Sequence, residues 1–346
     1  MKKITLADVA KSLNVSKTLI SLVLNGKGNE KGINKDTQQR VLDKVKELNY
    51  KPNQFARGLR IGKSNTFGLV VADISNSFYA RMCRSIEDHA NKHGYNLIIC
   101  SSDEDPEKES KLIQMLIDRQ VDGLIISTTQ KNNSDITMLK KNKFPFVLID
   151  RHIPKVDSNY VIVDNKQGAK NVVEHLIKLG NKKIGHLTIS PSHLSTIKDR
   201  TLGYKEALKE NGIRVDNNLI KEISFDSIKE DVKREIKALL SPPHSINSLF
   251  VANNNIAVAC LECFQEMNIR IPQDMALVSF DDIDTFKLCY PPITAVAQPV
   301  EEMGKEAINI LINQIKNEDK EVIYQHLSLQ TMLNIRRSCG SFIAEL

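Results

Sequence analysis

Apolar and polar positions repeat with two different periods along this chain, and the change of period falls near residue 65. In "TLADVAKSLNVSKTLISLVLNGKG", Leu6, Val9, Ala10 and Leu13 recur at helical spacing, and Ile20, Val23 and Leu24 do so again after a break at Asn14 and Val15. Two helices and a tight turn are predicted. Thr5, with Asp8 three residues on, suits the start of the first helix, and Ser16 suits the start of the second, its hydroxyl accepting a free backbone N–H. "INKDTQQRVLDKVKELNY" adds a third helix with Val41, Val45 and Leu48 as its inner face. The sum is an all-α helix-turn-helix head over residues 1–52, in which the second helix is the one suited to reading a DNA groove. The face of that helix opposite its apolar stripe carries Lys17, Thr18, Ser21 and Leu22 as candidates for base-edge and backbone contact. Taken alone, the same pattern also fits a short helical hairpin whose polar face is merely solvated.

From Thr66 onward, β-rich runs such as "TFGLVVAD", "YNLIICSS", "VDGLIIST", "FPFVLID", "YVIVD", "KIGHLTI", "NSLFVAN", "MALVSFDD" and "TAVAQP" alternate with helical stretches. The helical stretches fall at about 78–93, 106–120, 168–180, 200–212 and 256–268, often closed by a glycine. Repeated β-α units imply parallel sheets with helices on both faces. More than eight strands in a segment this long point to two such sheets, a body of two doubly wound parallel-sheet lobes.

In open α/β sheets ligands bind beyond the carboxyl ends of the strands, so the residues that follow each strand are the candidates for a site. After "GLVVA" come Asp73, Asn76, Phe78 and Tyr79; after "FVLI", Asp150 and Arg151; beyond "GHLTI", Arg200; after "LFVA", Asn253; after "ALVSF", Asp281 and Asp282; and after "TAVA", Gln298. Carboxylates, amides and guanidinium groups fix a polyhydroxylated small molecule, and aromatic rings stack on its apolar faces. Individually, Asp150 also fits a helix cap, Arg151 a structural partner of it, and Asn253 a turn.

Charge sharpens the division. The net charge of +6 is uneven: residues 1–64 hold fourteen Lys and Arg against five Asp and Glu, a net +9, and the remainder hold 34 against 37, a net −3. A basic head suits phosphate, whereas the body has no charge reason to seek nucleic acid. Six scattered cysteines and an N-terminus without an apolar signal core suggest a reducing cytoplasm. No apolar run approaches the roughly 18 residues of a membrane helix.

Enzyme chemistry finds no footing. There is no G-x-G-x-x-G after the first strand, no P-loop and no G-x-S-x-G elbow. His89 and His93 lack the intervening glutamate of a zinc motif and are expected to face solvent, and Cys260 with Cys263 is a lone C-x-x-C expected to be buried packing. The expectation is a non-enzyme with no catalytic residues, no metal and no cofactor.

The head resembles the LacI/GalR family of bacterial transcription regulators, whose "DVA", "VS", "VLN", "YxPN" and "AR.LR" signatures stand here at 8–10, 15–16, 23–25, 50–53 and 56–60. The body is similar to the same family's core, which is periplasmic-binding-protein-like, in "VDGLII", "IDR", "RTLGY", "IPQDMALVSFDD" and "PPITAVAQPVEEMGKEA". The resemblance implies a repressor that binds a palindromic operator in double-stranded DNA as a homodimer, switched by a small-molecule effector between the lobes. "IDR" and a strand-end aspartate resemble sugar-responsive members; a purine, a sugar phosphate or a protein co-regulator are the alternatives.

By the same resemblance, residues 53–64 are a hinge helix and linker. There Leu59 wedges into the minor groove as one of a dimer-related pair, flanked by Arg57 and Arg60. The DNA-contacting set becomes Thr5, Ser16, Lys17, Thr18, Ser21, Leu22, Asn25, Asn53, Arg57, Leu59 and Arg60. The effector set is Asn76, Phe78, Tyr79, Asp150, Arg151, Arg200, Asn253, Asp281 and Gln298. The chain is expected to cross between lobes three times, giving lobe 1 about 65–162 plus 297–323 and lobe 2 about 163–296 plus 324–340.

Two features depart from the family pattern in the head. Leu22 stands where many members carry an arginine and cannot make that residue's bidentate contact to guanine; a thymine methyl is its natural neighbour. "GKGNEKGIN" is a longer loop, in which Lys27 and Lys31 either reach phosphate or sit in slack chain. In the body, Asn254 replaces an acid and Ala259 a glycine. No leucine heptads near the C-terminus call for a tetramer, so a dimer is expected.

Overall fold

The computed structural model describes residues 4–50, 63–131, 133–317 and 323–341. It divides into two compact units, residues 1–64 and 65–346. In the first, α1 (Leu6–Leu13) begins with a reciprocal cap: the Thr5 Oγ1 accepts from the Asp8 N–H at 3.3 Å and the Thr5 N–H donates to Asp8 Oδ2 at 2.8 Å. Asn14, at φ 54, ends it in the left-handed conformation that asparagine tolerates. After the short turn, Ser16 accepts from the Leu19 N–H at 3.1 Å and opens α2 (Lys17–Leu24); α3 (Lys35–Glu47) follows. Val9, Ala10, Ile20, Val23 and Val41 are the buried centre that holds the three together.

The second unit contains two six-stranded sheets. The first has the order β11-β5-β4-β3-β1-β2, built from β1 (Thr66–Val71), β2 (Asn96–Ser101), β3 (Gly123–Ile126), β4 (Phe146–Ile149), β5 (Tyr160–Val163) and β11 (His326–Leu329), all parallel. The second has the order β12-β10-β9-β8-β6-β7, from β6 (Ile184–Ile189), β7 (Ile220–Ile223), β8 (Ser248–Val251), β9 (Ala276–Phe280), β10 (Thr294–Ala297) and β12 (Met332–Asn334). It is parallel except for β12, which runs antiparallel to β10. The central strands are nearly continuous apolar runs because both faces are covered. Along β1, Phe67, Leu69 and Val71 join one buried cluster while Val70 joins the cluster on the opposite face.

Helices supply the covers: α4 (Ser77–Lys92) and α11 (Val300–Lys316) on one face of the first sheet, α5 (Pro106–Asp118) and α6 (Asn133–Lys141) on the other. On the second sheet, α7 (Asn165–Lys178) and α8 (Ser195–Glu210) cover one face, α9 (Ile228–Leu240) and α10 (Asn254–Glu266) the other. Three of these helices begin earlier than periodicity alone indicates because polar caps precede the apolar stripe. Asn76, Asp164 and Asn253 accept the first free N–H groups of α4, α7 and α10.

The lobe boundaries need one correction. Residues 326–329, expected in the second lobe, form the edge of the first sheet, with His326 opposite Tyr160 and Leu329 opposite Val163 in parallel register. The pairing satisfies the outer edge of β5, and Leu327 and Leu329 pack onto the first lobe's core. The last crossing therefore lies at Gln330 and Thr331. His89 also departs from expectation: its side chain is 12% exposed, its Nδ1 lies 2.9 Å from the Ser85 carbonyl and its Nε2 faces Glu301 at 3.7 Å. Cys260 and Cys263 are buried in the second lobe's core.

His186 on β6 is fully buried between the rings of Tyr204 and Phe250, with Nδ1 3.1 Å from the Phe250 carbonyl and Nε2 3.1 Å from Thr201 Oγ1. Burial lowers its pKa from 6.5 to about 4. Between those values the unfolded chain binds a proton that the folded chain refuses, so stability falls as pH drops through this window. The loss attributable to this residue is about 3 kcal/mol by pH 4, and His186→Gln flattens the slope of urea-denaturation free energy against pH between 6.5 and 4.

Candidate functional site

A cleft between the two lobes is lined by residues just beyond the carboxyl ends of β1, β2, β4, β6, β7, β8 and β9, enclosing about 540 Å³ that is partly open to solvent. Asn76, Phe78, Tyr79, Asp150, Arg151, Arg200, Asn253 and Asp281 all line it. Gln298 reaches it indirectly, its Nε2 donating to Asp281 Oδ1 at 2.6 Å.

Each lobe contributes an aspartate at a strand end, held with positive φ: Asp150 at 67° and Asp281 at 66°. Aspartate is among the few residues that enter this conformation readily, and it turns the carboxylate off the end of the sheet. In the first lobe, Asp150 Oδ2 accepts from the Tyr79 hydroxyl at 2.8 Å, and the Asp150 N–H donates to the Val161 carbonyl at 2.9 Å. Burial pushes the Asp150 carboxyl above its usual range, with Arg151 and Arg200 pulling it back. Arg151 donates from Nη1 and Nη2 to Glu104 at 2.8 and 2.6 Å, and from Nη1 to the Thr128 carbonyl at 3.3 Å.

In the second lobe, Arg200 donates to Asn165 Oδ1 at 2.8 Å, to the Ala252 carbonyl at 2.7 Å and to Asp281 Oδ2 at 3.3 Å. Its guanidinium lies 3.8 Å from the centre of the Phe280 ring. Charge, planarity and stacking are all used, which a lysine would not reproduce. Arg151 Nε lies 3.5 Å from Asp150 Oδ2, so the first lobe's guanidinium faces both Asp150 and Glu104.

The lobes also bind each other directly. Asn254 Nδ2 donates to Asn76 Oδ1 at 3.0 Å, and Arg81 donates to the Asp282 carbonyl at 2.9 Å. Gln130 exchanges two bonds with Ser195, at 2.9 and 2.7 Å, and His193 Nε2 lies 3.0 Å from the Thr129 carbonyl. Asp282 is in turn gripped by Arg336 at 2.6 and 2.8 Å, so its role is to anchor the chain end rather than to face the cleft.

Glu104, Asn165 and Asn254 were absent from the sequence-based set. Glu104 follows the strand "YNLIICSS" and satisfies the same rule that selected Asp150. Asn165 and Asn254 are helix-start residues whose inward aim depends on how the lobes meet, which no local pattern carries.

In the head, Lys17 and Thr18 are exposed, Ser21 is half-buried, and Leu22 stays outside the apolar core that takes its neighbours Ile20 and Val23. Asn25 folds back, donating to the Ser21 carbonyl at 2.6 Å. Thr5 and Ser16 already serve as helix caps. Asn53, Arg57, Leu59 and Arg60 lie outside the described residues.

Comparison with known proteins matches residues 5–53 to the bacterial regulatory proteins of the lacI family and residues 173–339 to the periplasmic binding protein-like domain. The chain is 33% identical over 336 residues to a ribose operon repressor of Halalkalibacterium halodurans, covering 96% of each. It is 29% identical to the transcriptional repressor PurR of Haemophilus influenzae, covering 98% of this chain and 99% of that one. A crystal structure of a LacI family regulator from Enterococcus faecium with bound ribose superposes with a TM-score of 0.69 at 27% identity, covering 79% of this chain and 98% of that one.

Arg200 is the keystone of the second lobe's half of the cleft. Arg200→Met removes the buried charge partner of Asp281, which keeps only the Gln298 amide, and the donor to Asn165 Oδ1, and the expected cost is about 3–5 kcal/mol, read as a lowered urea midpoint with unchanged slope.

Proposed function

Because the chain belongs to the lacI family of bacterial regulatory proteins, and is a DNA-binding transcription regulator rather than an enzyme, we propose that it is a cytoplasmic homodimeric repressor switched by a sugar held between its lobes. The observation that carries the effector reading is the pair of strand-end aspartates, one per lobe, with Arg151 and Arg200 beside them and aromatic Phe78 and Tyr79 on the wall. A ligand touching both halves stabilises the closed arrangement only by binding it better than the open one. Relatives named for ribose support a sugar. So does the neutral, hydroxyl-donating chemistry that a carboxylate-rich cleft prefers.

On DNA, two heads occupy the half-sites of a palindrome, and Lys17, Thr18, Ser21 and Leu22 face the major groove. The segment 53–64, with Leu59 between Arg57 and Arg60, is the proposed hinge and minor-groove wedge. Effector binding changes how the two body units present these segments to the operator. A coupling of about 1–3 kcal/mol makes a useful switch.

Leu288 and Tyr290, apolar or largely so and 84% and 97% exposed, project from the second lobe as the natural centre of a dimer contact. Tyr290→Asp is expected to shift the protein from dimer to monomer in analytical ultracentrifugation and to weaken operator binding in parallel. A Tyr290→Asp protein that remains a dimer removes this face from the interface.

The effector reading is tested with Asp281→Asn, which keeps the side chain's shape and removes its charge. Operator affinity without ligand is expected to stay within a few-fold of the wild type while the response to sugar is lost. A full sugar response in Asp281→Asn places the effector elsewhere.

A further inference from the structure

The cleft's cations are already engaged. Among the described residues, four carboxylates line it, those of Asp73, Glu104, Asp150 and Asp281, against the two guanidinium groups of Arg151 and Arg200, with no lysine or histidine. Four negative charges against two positive leave a surplus of two negative. Arg200 is committed to Asp281, Asn165 and the Ala252 carbonyl. Arg151 is committed to Glu104 through both terminal nitrogens, the parallel two-bond geometry that a carboxylate or phosphate ligand would otherwise use.

Glu104 is brought to this position at a conformational cost. It and Asp103 both have positive φ, 57° and 53°, in the loop after β2. Glutamate lacks aspartate's local compensation there, and two such residues in succession persist only where the surroundings over-determine them. The turn swings the Glu104 carboxylate from the end of β2 onto Arg151, at the end of β4. Arg151 and Glu104 have side chains only 7% and 13% exposed, so the pair is little screened by water.

We propose that Glu104 is a specificity-determining residue that excludes anionic effectors: by occupying the Arg151 fork it denies a ligand phosphate or carboxylate the one guanidinium that the first lobe contributes to the cleft among the described residues. The inference rests on the reading of this cleft as the effector site. What remains favours a neutral ligand rich in hydroxyl donors, because ionised carboxylates only accept hydrogen bonds. A phosphate ester brings acceptor oxygens and up to about two negative charges into a site with a negative surplus.

The test is ligand-dependent thermal unfolding of the full-length protein with ribose, other neutral pentoses and hexoses, the phosphate ester of each, and purines. It is run on the wild type, Glu104→Gln, Glu104→Asp and Asp281→Asn. A neutral sugar is expected to raise Tm in the wild type while its phosphate ester binds at least tenfold more weakly. Glu104→Gln should narrow that ratio at least tenfold, by releasing Arg151 and removing one negative charge, and Glu104→Asp should retain the discrimination. A phosphate ester that binds the wild type as tightly as its parent sugar overturns the proposal, and so does an unchanged ratio in Glu104→Gln. Should Glu104→Gln unfold, the wild-type ratio alone decides. If only a phosphorylated sugar or a purine raises Tm and Asp281→Asn abolishes the shift, the role of Glu104 is refuted while the cleft remains the effector site. Silence in every arm refutes both.

Discussion

A parallel sheet exposes no face to water, and this constraint determines where the protein can meet a small molecule. With helices on both faces of each sheet, the loops at the carboxyl ends of the strands are the accessible part of the framework, and two sheets turned end to end make those loops meet. The chemistry of the cleft follows from the chain's need to leave each strand sharply. A left-handed aspartate at the ends of β4 and β9 makes the turn and at the same moment delivers a carboxylate. Buried carboxylates in turn require donors, and Tyr79, Arg200 and Gln298 supply them.

The electrostatic outcome is a site whose polar groups are bound mainly to one another. Such a network is rigid, and it is selective in the way a half-satisfied one is not, because a ligand must offer bonds at least as good as those it displaces. The charged groups that line the cleft come from both lobes, Asp150 and Arg151 from the first and Arg200 and Asp281 from the second. A molecule that touches all of them has to span the gap. Such a ligand favours the lobe arrangement that it binds better.

Much of this was legible in the sequence because its cause is local. The strand runs are apolar and short, the helices announce themselves by period, and the strand-end rule selected Asp150, Arg151 and Asp281 without knowledge of the fold. The Thr5 cap with its Asp8 partner and the Ser16 cap are visible in sequence for the same reason. What escaped was non-local. β11 carries the pattern "HLSL", too brief to declare which sheet it joins, and only its register with β5 assigns it to the first lobe. Asn254 looked like the loss of an acid, whereas its amide is the one that reaches Asn76 across the cleft. Glu104 was overlooked although its position obeyed the rule, because charge in a surface-like "SSDED" run reads as solvation until Arg151 is placed beside it.

The chain passes from lobe to lobe three times, at Asp164–Asn165, Gln298–Pro299 and Gln330–Thr331. The passages lie next to one another. The Asp164 N–H donates to the Leu329 carbonyl at 2.9 Å, and Ala297 stands opposite Met332 in the β10–β12 ladder. Three stretches of backbone side by side thus tie the lobes together along one edge of the cleft. Any change in how the lobes are set has to be taken up in those few residues.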